Sequence, residues 1–102
     1  MTKDPQIAAT VKEILDLIKN ISPGKSVELR VPPYGAIQCV AGSNHRRGTP
    51  PNTVEMSGQT LVRLINESSL WSSLCESGEV RASGLLSDLS NLFAQAAVKY
   101  RA

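Results

Sequence analysis

Residues 27–33 read VELRVPP, and a strict alternation closed by two prolines leaves few local structures open. Val27, Leu29 and Val31 share one face at the two-residue period of a strand, while Glu28 and Arg30 take the other. Proline has no amide to give to a sheet ladder, so Pro32 and Pro33 end the run. Three further stretches read the same way. AIQCVA (36–41) points Ile37, Cys39 and Ala41 one way and Gln38 the other. NTVEMS (52–57) places Val54 and Met56 together. EVRAS (79–83) turns Val80 and Ala82 inward and stops at Gly84. Strands with one apolar face need a cover on that side only, which predicts a mostly antiparallel sheet of about four strands.

The cover comes from segments with a helical period. Asp4 caps the first of these and Pro5 fits its opening turn, where no amide donor is needed. Ile7, Val11, Ile14, Leu15 and Ile18 form its apolar stripe, and SPGK (22–25) stops it. Ser57 caps a helix bearing Leu61, Leu64 and Ile65. Ser68 or Ser69 caps a short one bearing Leu70, Trp71 and Leu74, closed by Gly78. Ser87 and Asp88 open the last, with Leu89, Leu92, Phe93, Ala96, Ala97 and Tyr100 on one face. The fold class is α+β, with helices layered on one face of the sheet. A chain of 102 residues without repeats or a linker reads as a single domain over 1–102.

Composition excludes several functions. A net charge of +2, with no basic stripe and no interleaved aromatics, argues against nucleic acid as partner. No apolar run is long enough for stable membrane insertion. The N-terminal stretch lacks a secretory pattern, which points to the cytoplasm. Cys39 and Cys75 stand apart, without the paired spacing of a metal site, and read as buried free thiols. No cofactor motif is present. Catalysis finds no constellation either. Cys39 faces inward, no third residue orients His45, and Glu28 and Glu55 read as sheet-surface charges, so the expectation is a non-enzyme.

HRRGTPPN (45–52) is the least ordinary segment. Gly48 allows unusual backbone angles and Pro50–Pro51 hold the chain extended into the next strand. His45, Arg46 and Arg47 also suit a carboxylate or phosphate, by charge-assisted hydrogen bonds. Rigid scaffolding is the first reading of the segment, and an anion-binding rim the second.

Three groups of words, VELRVPPYGAIQCVAG, RGTPPNTVEMS and SLCESGEVRASG followed by SDLSNLF, resemble the short bacterial branch of the sterol carrier protein family. The likeness covers about residues 25–95. It implies a helix-capped sheet with an apolar slot between the layers for a fatty-acyl or sterol-like ligand, and no catalytic residues. On that reading Met56, Leu61, Leu64, Trp71, Leu74, Leu89, Leu92 and Phe93 line the slot, and His45, Arg46 and Arg47 meet an anionic end.

Size limits such a slot. An empty void of about 400 Å³ would cost roughly 10 kcal/mol at ~24 cal/mol per Å³. That rivals the whole ~5–15 kcal/mol stability of a domain. Either the slot is narrow until a ligand opens it, or a lipid or second subunit fills it. The alternative is an accessory module of the same fold without an open slot, acting on a partner protein or as a homodimer.

Overall fold

The computed structural model describes residues 4–42 and 52–101. Helix α1 (Pro5–Ile21) leads into strands β1 (Val27–Val31), β2 (Gly35–Cys39) and β3 (Asn52–Met56). Helices α2 (Gly58–Asn66) and α3 (Trp71–Ser77) follow, then strand β4 (Val80–Ser83) and helix α4 (Ser90–Arg101). The Asp4 carboxylate accepts from the amides of Gln6 and Ile7, so α1 begins at the predicted cap. The Ser57 hydroxyl accepts from the Thr60 amide at the start of α2.

The sheet runs β2-β1-β3-β4. β1 pairs antiparallel with β2, and β3 antiparallel with β4. Between these hairpin-like pairs, β1 and β3 lie parallel, with Val27 opposite Asn52. The sheet is therefore mostly antiparallel, as alternation predicts, with one parallel seam at its centre. A turn through Pro32 and Pro33 joins β1 to β2, with a cis bond between the two prolines, and the Tyr34 amide donates to the Val31 carbonyl.

Inward residues of all four strands and apolar stripes of the helices form one core. Ile14, Ile18, Leu29, Leu61, Leu64, Ile65 and Phe93 are fully buried within it. The opposite sheet face is polar. Arg30 pairs with Glu28 at 2.6 Å, and Arg81 pairs with Glu55 across the β3–β4 ladder. Exposed pairs of this kind add little stability; they keep the open face wet.

The structure corrects five local readings, the first at Ala82 of β4, expected inward with Val80 but left exposed. β2 ends at Cys39 rather than Ala41, because Val40 turns into the left-handed region with φ +66°. Ser68 and Ser69 do not cap α3; they lie in a 3₁₀ turn (Ser68–Leu70) that runs straight into Trp71 without a side-chain cap. Neither Ser87 nor Asp88 begins α4. The Phe93 amide reaches the Leu89 carbonyl, so Leu89 is the half-in residue and the helix proper starts at Ser90. Cys75 is half-buried, whereas Cys39 is buried.

Candidate functional site

The eight residues expected to line a slot come together. Met56, Leu61, Leu64, Trp71, Leu74, Leu89, Leu92 and Phe93 are all buried in the one core. Trp71 lies 5.8 Å from Phe93, ring centre to ring centre, with the planes tilted by 31°. Such offset aromatic contacts add to the burial term. Among the described residues the layers meet as packed side chains, and of these eight Leu89 and Leu92 also line a surface depression. His45, Arg46 and Arg47 lie outside the described residues.

That depression is a crevice of about 330 Å³ between the end of α1, the residue after β2 and the start of α4. Its apolar walls are Ile21, Val40, Leu85, Leu86, Leu89 and Leu92, and its rim is Ser22, Asp88, Asn91 and Gln95. The volume sits at the low end of small-ligand sites, roughly 300–1,000 Å³.

Two local devices build it. Val40 is held on one wall by its own backbone: its amide donates to Ser22 O at 2.8 Å and its carbonyl accepts from Ser26 N at 3.1 Å. A β-branched residue at positive φ is uncommon and costs of order 1–3 kcal/mol. Here the turn after α1 enforces it. The opposite wall is the loop from Gly84 to Leu89. Asn52, buried at the start of β3, accepts from the Leu86 amide at 2.9 Å and donates to Ser26 O at 2.8 Å. Ser87 closes the loop on itself, its hydroxyl donating to Gly84 O at 2.7 Å. Leu85 is left 101% exposed and Leu86 43%.

The sequence reading missed Leu85, Leu86 and Asn52 as site residues. Two adjacent leucines outside any helical or strand period were the available signal. Asn52 had none, since its partners lie 26 and 34 residues away.

Electrostatics at the crevice is quiet. Hydrogen bonds from Ser90, hydroxyl first and then amide, hold Asp88 below the usual carboxylate range. Elsewhere, burial pushes the Cys39 thiol up to about 11. Burial, and then the charge of Asp88, raises Cys75 as well. No group of three or more His, Cys, Asp or Glu side chains suited to a metal occurs among the described residues. No helix there is long and apolar enough to cross a membrane.

Other depressions are less suited to an apolar guest. A 490 Å³ hollow at β4 is walled by Arg30, Glu55 and Arg81. One of 660 Å³ between α1 and α4 is lined by Glu13, Asp16, Asn20 and Lys99. A groove of 390 Å³ between α1 and β2 is apolar at Val11, Leu15, Tyr34 and Ile37. The ion pair of Lys12 and Asp16, both among its lining residues, occupies the α1 side of that groove.

The architecture has a solved counterpart in a protein titled UbiJ-SCP2 ubiquinone synthesis protein. The match has a TM-score of 0.56 and 19% identity, over 100% of this chain and 98% of that one. At that identity the likeness establishes the fold. No curated protein matches significantly in sequence. The family model described as bacterial SCP ortholog matches residues 3–94. With the helix-capped four-stranded sheet now in place, that near-complete match identifies the chain as a member of the bacterial SCP family, the short sterol-carrier-like branch.

Proposed function

We propose that this domain binds one apolar chain, fatty-acyl in character, and performs no chemistry on it. The supporting observation is the crevice itself, where Leu89 and Leu92 of the helix–sheet core form part of the wall beside exposed Leu85 and Leu86. An alkyl chain laid along these side chains would have its inner end against the core around Phe93, Trp71, Leu64, Leu61, Leu74 and Met56. Entry deeper than the crevice requires that core to open around the guest, so no void need be maintained in its absence. His45, Arg46 and Arg47 supply the positive charge for a carboxylate or phosphate end. Their segment leaves the described fold at Gly42, which adjoins Leu86, and rejoins it at Asn52, which hydrogen-bonds Leu86.

A non-catalytic role fits the chemistry of the described side chains. Cys39 is walled in and held as a thiol, and Glu28 and Glu55 are both engaged by arginines.

The test is titration with a fluorescent fatty acid in vesicle-free buffer. A long-chain isoprenoid joins the panel because the structural neighbour is titled a ubiquinone synthesis protein. Gln95 is exposed on the crevice rim, so Gln95→Trp should obstruct the crevice without touching the core. Binding should weaken at least tenfold. Ala94→Trp, next along the helix and outside the crevice lining, should bind as wild type. No saturable binding, or equal binding by both variants, overturns the reading.

The packed seam favours a second reading, an accessory module acting through its surface on a partner protein or a second copy. Native mass spectrometry separates the two: a retained lipid supports the first, and a ligand-free oligomer the second.

A further inference from the structure

We propose that the Leu85–Leu86 loop is a docking tip for the surface of a lipid bilayer. Among the described residues only Leu85, Leu86 and Val98 are large hydrophobics left exposed, and two of these three are adjacent on one turn. The turn is braced from behind by the Leu86 amide on Asn52 and by the amide and hydroxyl of Ser87 on Gly84 O. A tip already held in shape loses little conformational freedom when it docks.

The size of the patch selects the occupant. A stable protein interface buries about 800 Å² per partner around a well-packed anchor. Two leucines on one turn fall well short of that area, and the crevice beside them is sized for a small guest rather than for a protein anchor. Hydrocarbon requires neither area nor shape complementarity, because transfer of apolar surface is non-directional. Among the described residues the charge beside the tip is balanced. Lys25 is exposed in the turn whose neighbours Gly24 and Ser26 adjoin Val40 and Gly42, and Asp88 is exposed on the other side. Docking should therefore tolerate zwitterionic headgroups and moderate salt. On the reading above, the tip would set the crevice mouth at the hydrocarbon boundary, although docking does not require a guest in the crevice.

Two leucines bury about eight apolar carbons against about fourteen for a myristoyl chain, whose association constant is about 10⁴ M⁻¹, so the tip alone binds roughly a thousandfold more weakly and on the order of a tenth of the protein is bound near 10 mM accessible lipid. The experiment is flotation of the full chain with phosphatidylcholine vesicles. Wild type should float, and Leu85→Ser should reduce the bound fraction about tenfold with an unchanged melting temperature. Val98→Ser should float as wild type. Equal flotation of wild type and Leu85→Ser, or no flotation of wild type, overturns the proposal. So does a wild-type dimer in sedimentation analysis that Leu85→Ser dissociates, which would assign the tip to a second copy. Failure of fatty-acid titration without vesicles would remove the crevice reading and leave this one standing.

Discussion

The side-chain oxygen of Asn52 accepts the backbone amide of Leu86 at 2.9 Å, 34 residues along the chain, and so ties the crevice wall to the sheet. The side-chain nitrogen of Asn52 donates to Ser26 O at 2.8 Å. One buried side chain thus satisfies two backbone groups from two separate loops.

Asn52→Ala should cost about 2 kcal/mol, since it leaves the buried Ser26 carbonyl and the part-buried Leu86 amide unpaired together. Urea denaturation measures this. Asn52→Asp should be at least as damaging, because it keeps an acceptor for Leu86 but offers no donor to Ser26 and brings a charge inward. In Asn52→Ala, but not in Asn52→Asp, the Leu86 amide should exchange hydrogen faster relative to amides in β1.

Gly84 and Gly78 both sit at positive φ, +110° and +85°, yet their alanine variants should differ. At Gly84 an added Cβ would lie 2.2 Å from the Asn52 side-chain oxygen, whereas at Gly78 it would meet nothing within 4 Å. Gly78→Ala should cost only the backbone term, about 1 kcal/mol. Gly84→Ala should cost at least 1 kcal/mol more and should lose ligand binding as the loop shifts.

Val40→Gly should separate stability from binding. Relief of the left-handed strain, about 1–3 kcal/mol, is offset by glycine's greater chain entropy, roughly 0.5–1 kcal/mol, and by lost packing. The net change in melting midpoint should be small. Fatty-acid binding should weaken, because the side chain itself forms a crevice wall.

Cys39 gives a pH signature. Burial pushes its folded pKa up to about 11, above the ordinary thiol value of about 9, so the native state holds the proton that the unfolded chain releases. Stability from this group is intact below pH 9 and falls as pH rises toward 11, by on the order of 2 kcal/mol. Comparison with Cys39→Ala across that range isolates the slope. At pH 8 a maleimide should label native protein at half-buried Cys75 and reach Cys39 only after denaturant is added.

Period and punctuation were readable where they act locally. Asp4–Pro5, the alternation of VELRV and NTVEM, and Ser57 ahead of Leu61 each specify their own few residues, and the elements begin there. The end of β2 was not readable, because Val40 takes its backbone angle from Ser22 and Ser26 on another element. The start of α4 was misplaced for a related reason. Ser87 and Asp88 have capping chemistry, but Ser87 is spent on Gly84 and Asp88 on the Ser90 amide. The core positions were legible from apolar spacing. Whether they enclose space was not, since periodicity reports which side a residue faces and says nothing of how tightly facing layers interdigitate.

The parallel pairing of β1 with β3 also limits what the chain between β2 and β3 must do. Cys39 and Asn52 both stand opposite Val27, one on each side. At ~4.8 Å per strand spacing they are only about 10 Å apart, and three extended residues reach that far. Residues 40–51 are several times longer than this gap requires. Topological closure therefore does not fix the length of that connection, and a brief glycine–serine bridge in place of 43–50 would leave strand order and ladder alignment unchanged.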